Sequence, residues 1–546
     1  MQTFFFGVIK IKSIKIVRDV IKLAFLVSVF YFLKKYYLSI LETSWPWEKL
    51  QIINNNNTSR DIYDFPIFAL SAANFFYISG PLILFSLIIY FNKKTTWTSE
   101  ADDPLYKPTR FFFCSLIGIA TLFNVLTPFN YYFNNAFLTE RLMLFMCGCL
   151  FFWYPWILPL ILLLILLWLR QQFFPLGYCS VLDKRLFYEL PLFFLAYLLI
   201  PKKLKIGFRY VWIGTLAAIS SNYYASGVGK IFLGPKLFSW IIENNLYVHF
   251  IFSHQFGWLH FLKTEIIQCI SFFIEKTENF LCLFTVIVEL STVLIGKSYS
   301  LALAILSLLC VFHLGVFFES GIFFWKWICI NFLIFIALQK YKKNFKNLFF
   351  GWFTFFAIAV LTIFSKKVFH PVELSWWDAK YNIRFEYFVE LLDNKSVQIS
   401  GHFFSPYEQY FTFQRLFGIV PAETKVVEIP FSNYLQYKKL QKITPCSIKE
   451  WRNQNSKVTF DPQEASVLNK FIKTFFENYN KHPYKNTISK IPWFPHLYKD
   501  KYAFNPNKIK GPVQKFEIYM VEESIEGIKP YETLREKVFS VSISNE

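Results

Sequence analysis

The sequence predicts a mainly α protein: a polytopic transmembrane helical bundle of about nine spans over residues 1–370, then a smaller α+β extramembrane domain over 371–546. Three observations lead there. Of 546 residues 54% are hydrophobic, at a mean hydropathy of +0.34, more apolar surface than a soluble chain of this length can hide. The apolar residues gather into runs about as long as a bilayer requires. The net charge of +20 sits mostly in the apolar part: 33 Lys and Arg face 17 Asp and Glu there, against 24 and 20 from Pro371 onward. Short basic loops between apolar runs are what the positive-inside bias produces.

Residues 1–18 mix apolar side chains with Lys10, Lys12, Lys15 and Arg18, and no small-residue cleavage site follows, so an uncleaved cytoplasmic N-terminus is expected. A first span fits 19–38. The polar loop after it holds Trp45 and Trp47, placed as interfacial aromatics, and the acceptor-like Asn56-Asn57-Thr58. Further runs fall at 66–91, 111–127, 142–169, 186–200 and 206–226. Pro155 and Pro159 interrupt 142–169, which predicts a kink or a re-entrant segment. Residues 240–278 mix Trp, Phe and Ile with His249, His254, His260, Glu265 and Glu275, and read as interfacial helices or a re-entrant lid. Runs at 279–296, 300–318, 321–339 and 348–365 complete the set. Basic loops at the N-terminus, 202–209 and 340–346 all want the cytoplasm. An odd number of spans satisfies them and places the C-terminal domain outside, which is why one run between 142 and 200 is read as not fully crossing.

After Pro371 the pattern changes. Tyr381–Leu392 and Ser396–Ser400 flank the turn Asp393-Asn394-Lys395 and predict a hairpin. Asp461, Pro462 and Glu464 sit at the N-cap, first and third positions of an amphipathic helix. Lys515–Val521 and Lys537–Ser542 read as strands.

The chemistry-bearing stretch is Tyr223–Trp240, YYASGVGKIFLGPKLFSW, entered from a helix-like run at Arg209–Tyr224. Gly227 and Gly229 are read as loosening the backbone before Lys230, with Gly234 and Pro235 closing the unit. A lysine flanked by bulky apolar residues is partly desolvated, which disfavours its charged form and fits it to act as base or nucleophile. The competing reading is a lysine snorkelling to the headgroups. Upstream, Ala217, Ser221 and Ala225 repeat every four residues, as do Gly214 and Ala218, a spacing that lets a second membrane helix approach closely. Glu289 and His313 lie inside successive apolar runs, where ionisable groups are functional candidates or helix-joining hydrogen bonds.

The pattern Tyr223, Gly227, Val228, Lys230, Ile231, followed by Glu289 on one helix and Phe312-His313 on the next, resembles the vitamin K-dependent gamma-carboxylases and the wider group of bacterial HTTM membrane proteins. The resemblance spans roughly 20–365 in pattern and is specific in those two stretches. It implies Lys230, His313 and Glu289 as catalytic residues and Tyr223 and Gly227 as substrate-binding ones. It further implies a reduced quinone of the vitamin K type as cofactor and a secreted or membrane protein as substrate. The family also uses a histidine upstream of the lysine. This chain has none before His249 and carries Asn124, Asn130, Asn134 and Asn135 in the matching region. Asparagine does not shuttle protons as imidazole does.

Two functions follow as expectations. One is a carboxylase-like (lyase) enzyme that couples oxidation of a quinone-like lipid to modification of a protein. The other is a non-enzymatic HTTM protein assisting maturation, export or assembly of a secreted partner. Membrane lipid is a partner in either case, and the expected location is the cell (inner) membrane. No metal is expected: the nine Cys show no zinc-type spacing, and His254 and His260, six apart, share no helix face. Nucleic acid is not expected, since the basic charge sits in membrane loops and not on one face of a soluble domain.

Overall fold

The computed structural model describes residues 2–42, 80–127, 129–171, 175–176, 185–255, 259, 261–371, 373–412, 416–421, 423–424, 426, 433–442, 444, 447–481, 509, 511–527 and 529–543. The Asn56-Asn57-Thr58 acceptor, His260, Cys446 and the start of the 66–91 run lie outside these. The chain is mainly helical, with one four-stranded antiparallel sheet near its end.

The bundle begins with α1 (Gln2–Glu42), α2 (Gly80–Phe91), α3 (Tyr106–Val125), α4 (Leu138–Phe151), α5 (Leu158–Gln171) and α6 (Arg185–Leu199). Next come α7 (Phe208–Phe232), α8 (Ser239–Glu243), α9 (Leu246–Gln255), α10 (Thr264–Ser291) and α11 (Tyr299–Ser320). It ends with α12 (Trp325–Lys340), α13 (Lys342–Leu348) and α14 (Trp352–Ile363). Among the described residues three helices are long and apolar enough to cross a membrane: α3, α10 with the turn that extends it, and α11. A fourth appears if α13 and α14, bent by 89°, count as one. The 142–169 run breaks between α4 and α5, where Pro155 opens a short 3-10 turn, as its prolines predict. The 240–278 segment resolves into α8, α9 and the first half of α10, which carries straight on through the 279–296 run.

Helix α7 is the hub, packed against α6, α10 and α14. Its first N–H groups lack intrahelical partners, and Asp103 reaches across to accept from Phe208 N at 2.9 Å. Trp212 Nε1 donates to Thr109 Oγ1 on α3 at 2.9 Å. Ser220 and Thr292 exchange side-chain-to-carbonyl bonds of 3.0 and 3.2 Å, fastening α7 to the end of α10. The small-residue stripes are buried: Ala217, Ala218 and Ser221 are fully enclosed. A Cβ on Gly214 would stand 2.1 Å from the ring of Phe193, itself without exposed surface, so only glycine lets α6 approach there.

The helix does not end at the glycines. It runs through Gly227, Gly229 and Lys230 to Phe232, and Gly234 (φ +127°) then turns the chain. Gly227 serves packing instead: a Cβ there would meet the Glu289 Cβ at 3.1 Å. Helical hydrogen bonds and burial outweigh the roughly 1 kcal/mol that glycine costs a helix interior.

The C-terminal part pairs β1 (Tyr381–Leu391) with β2 (Ser396–Ile399), then β3 (Val513–Glu526) with β4 (Lys529–Ser542), in the order β2-β1-β3-β4. The first hairpin forms where the sequence places it, with Asn394 at φ 60° in the turn. Short helices α15 (Glu408–Thr412), α16 (Tyr434–Gln441) and α17 (Ile448–Asn455) lead to α18 (Pro462–Lys481). Asp461 Oδ1 caps α18, accepting from Gln463 N at 2.8 Å and Glu464 N at 3.3 Å. The reciprocal half of the capping box is replaced: Asp461 N donates to Gly418 O, and Glu464 accepts from Tyr410. Burial outweighs that hydrogen bond and pushes the Glu464 carboxyl above its usual range.

The two parts share a core. Tyr131, in the loop between α3 and α4, stacks edge-on against Phe475 and Tyr479 of α18, and Asn478 Nδ2 donates to Tyr131 O at 2.7 Å. Asn130 Nδ2 donates to the Tyr407 hydroxyl at 3.0 Å.

Candidate functional site

Lys230 occupies the last turn of α7, and Glu289 faces it from α10. Nζ lies 2.7 and 2.8 Å from the two carboxylate oxygens, with side chains only 10% and 5% exposed. The lysine is therefore not a lone desolvated amine. It is half of a buried pair in which one proton can reside on either partner. Nζ also lies 5.6 Å from the ring centroid of Trp240 on α8. A second buried pair, Lys34 Nζ with Glu189 Oε1 at 2.7 Å, joins α1 to α6, and Lys34 adds a bond to Phe369 O. That pair borders no cavity described below, so burial of an ion pair alone does not mark a site in this bundle.

About two helical turns before Lys230, the Tyr223 hydroxyl lies 2.6 Å from His313 Nε2 on α11. Asn331 Nδ2 on α12 donates to the same hydroxyl at 2.8 Å. With its oxygen accepting from Asn331, the hydroxyl can direct its proton at Nε2 in the tautomer that leaves that nitrogen unprotonated. The arrangement links α7, α11 and α12 through three buried side chains.

Both groups line one cavity of about 450 Å³. Its walls are apolar, from Phe273, Ile274, Leu281 and Phe284 of α10 and Val311, Phe312 and Val316 of α11. Several lining side chains also face outward: Phe273 is 64% exposed, Val311 62% and Phe318 45%. The cavity thus opens on the outer surface between α10 and α11, two of the three described helices that are long and apolar enough to cross a membrane. Inside it, Trp327 Nε1 and Asn222 Oδ1 are buried with no protein partner among the described residues, one a donor and one an acceptor.

The far end of the cavity is built from the strap between bundle and sheet. Leu374, Trp376 and Asp378 line it beside His249 of α9. His249 Nδ1 lies 2.7 Å from Asp378 Oδ1. Asn244 holds the same carboxylate, with Nδ2 donating to Oδ2 at 2.6 Å while Asp378 N donates to Asn244 Oδ1 at 2.8 Å. Trp240 Nε1 donates to Trp376 O at 2.7 Å, and Trp376 Nε1 to Asp378 Oδ1 at 3.1 Å. The strap is itself clamped from outside. Trp377 stacks on Tyr437 of α16 at 4.4 Å, and Glu243 accepts from Lys438 and Tyr434. Burial raises the Glu243 carboxyl, but those two hydrogen bonds outweigh it and hold the group below its usual range.

Of the residues singled out in sequence, Lys230, Glu289, His313 and Tyr223 thus border one cavity. Gly227 does not border it; it stands at the α7–α10 contact that brings Glu289 to the lysine. The asparagines of the upstream region do not border it either. Asn124 Nδ2 bonds Ala120 O within its own helix, while Asn130 and Asn135 shape the loop that packs on the C-terminal part. Among the described residues no cluster of His, Cys, Asp or Glu is arranged to hold a metal. Sequence reading missed His249, Asp378, Asn331 and the two tryptophans of the strap. An Asp flanked by Trp just after a predicted last span was the available signal, since interfacial aromatics mark the membrane edge. Comparison with protein-family models, with curated proteins and with solved structures returns no match.

Proposed function

We propose that this chain is a multi-pass membrane enzyme, similar to the vitamin K-dependent gamma-carboxylases, that couples oxidation of a quinone-like lipid to modification of a secreted or membrane protein. The observation that carries the reading is that Lys230–Glu289 and Tyr223–His313 border a single apolar cavity open between α10 and α11. A lipid-soluble ligand reaches such a cavity sideways, and its apolar body matches the Phe, Ile, Leu and Val walls. The buried Trp327 Nε1 and Asn222 Oδ1 offer a donor and an acceptor to the ligand's polar end. A reduced quinone, when bound, supplies an oxidisable hydroxyl pair. The chain's own residues supply the rest. Lys230 takes a proton from a hydroxyl placed beside it, Glu289 holds the ammonium so formed, and Tyr223, with His313 behind it, orients the group by hydrogen bonding.

The finer topology belongs to this reading: about nine spans, in the cell membrane, with the C-terminal domain outside the cytoplasm. The short apolar helices α2, α5 and α6 would supply spans in addition to the longer ones. Lys395, exposed in the β1–β2 turn, reports on orientation. Lys395→Cys should react with a membrane-impermeant maleimide in intact cells, and labelling only after lysis would reverse the orientation.

The activity is tested by the aerobic loss of a reduced short-chain naphthoquinone, followed by fluorescence, with purified protein in nanodiscs. Loss faster than in protein-free nanodiscs is expected. Equal rates would leave the helper reading, in which the extramembrane domain binds a partner while the buried polar groups only join helices; the missing upstream histidine favours either that reading or a chemistry other than carboxylation.

A further inference from the structure

We infer that His249, held by Asp378, is the port through which the Lys230–Glu289 pair exchanges protons with water on the side of the extramembrane domain. This rests on reading that pair as a proton-handling group, but not on the ligand being a quinone.

A buried acid–base pair that turns over must lose and regain a proton each cycle, and an apolar cavity offers few carriers. Four facts point to His249. It lines the same cavity as Lys230 and Glu289. Its side chain is 19% exposed, against 10% and 5% for the pair, so it is the least enclosed of the three. Its Nδ1 is engaged by Asp378, which fixes the ring and makes Nε2 the nitrogen that exchanges protons. Asp378 in turn is held by Asn244 and Trp376, so the dyad is rigid. The charged groups around it are mostly acidic. Glu319 of α11 lines the same cavity. Asp378, Glu278 and Glu319 all act electrostatically on Cys282 of α10, and Lys380 follows on the strap beside Asp378. Such a setting stabilises a proton in transit. Between the two stations stands the Trp240–Trp376 wall, with Ser226 and Thr285 hydroxyls among the lining groups. The cavity volume of about 450 Å³ accommodates water beside a ligand's polar end. The step balances simply: Nε2 takes from the cavity side the proton that the pair has gained from its ligand and releases one proton to the outer side, and the ring returns to its starting state; run backward, the same exchange delivers a proton inward.

The test needs no substrate. Lys230→Gln, with Lys230→Met as the alternative if it folds better, leaves Glu289 to take a proton alone. Its protonated-carboxyl stretch is followed by time-resolved infrared after a light-triggered pH drop in nanodiscs, the band being assigned by its loss on adding Glu289→Gln. Adding His249→Ala should slow the rise of that band at least about tenfold, and free imidazole in the buffer should restore it. His249→Gln keeps a donor for Asp378 without a titratable nitrogen and should behave as His249→Ala, which covers the case in which alanine disturbs the strap. An unchanged rise in both variants overturns the port. A slowed rise that imidazole does not restore also overturns it, because His249 would then act only through structure. A failed naphthoquinone assay alongside a positive result here removes the ligand class and leaves the port standing.

Discussion

Lys230→Arg should abolish naphthoquinone oxidation while leaving the protein folded. Arginine keeps the charge and reach of lysine and can engage both oxygens of Glu289, so the buried pair survives. What it cannot do is give up its proton, because the guanidinium stays protonated in proteins. A base worth the usual contribution of general acid–base catalysis then costs about a hundredfold or more in rate. Melting in detergent, measured on the same samples, should move by no more than a few degrees. The native host offers a second readout that requires no knowledge of the substrate: growth or secretion, with protein abundance measured alongside. A normal phenotype at normal abundance would remove the enzymatic reading, since a lysine that only pairs or snorkels is replaced by arginine without loss. Full oxidation rates with arginine would remove the base role directly. The Trp240 ring near Nζ is compatible with either side chain, so loss of that contact does not confound the result.

Tyr223 entered only through the family pattern, but Lys230, Glu289 and His313, which border the cavity from α7, α10 and α11, were legible in sequence for a simple reason. Ionisable and hydrogen-bonding groups inside apolar runs are costly, so each stands out against its background. The small-residue spacing in α7 was legible because close helix contacts require it at fixed intervals, and burial of Ala217, Ala218 and Ser221 follows. The glycines near Lys230 were misread as loosening the backbone. Sequence shows only the missing side chain; it cannot show that Glu289 and Ser375 fill the space that a Cβ would take. The His249–Asp378 dyad was illegible because its members sit in different parts of the chain and neither lies in a clean apolar run. A carboxylate among polar residues carries no signal until the fold brings a partner to it. The same holds for Asn130, one of four asparagines in the region where the family carries a histidine, whose side chain bonds the Tyr407 hydroxyl of the C-terminal part. Composition changes near residue 371, yet the strap beyond it completes the cavity, which composition cannot reveal.

Glu289→Gln should destabilise the protein strongly, and the size of the loss tests whether the cavity end that holds the pair is dry. The glutamine retains the size of the carboxylate but leaves the Lys230 ammonium buried without a counter-charge. Breaking a buried pair by removing one partner costs about 3–5 kcal/mol, most of it the cost of the stranded charge. Thermal melting in detergent should show this as the largest shift among substitutions at the site. A loss under about 1 kcal/mol would mean that water reaches the pair freely, which is how exposed pairs behave. The paired substitution Lys230→Met with Glu289→Leu removes both charges and keeps apolar volume, so it should recover most of the lost stability. Its behaviour in the host then separates the two functions. If the buried charges only join α7 to α10, the double variant should be both stable and functional. If they are kept for chemistry, it should be stable and inactive, because the amine that takes the ligand's proton is gone, while His313, which remains, is engaged by the Tyr223 hydroxyl. Lys34 and Glu189 provide the internal control: the same paired exchange there, remote from the cavity, should preserve stability and activity together.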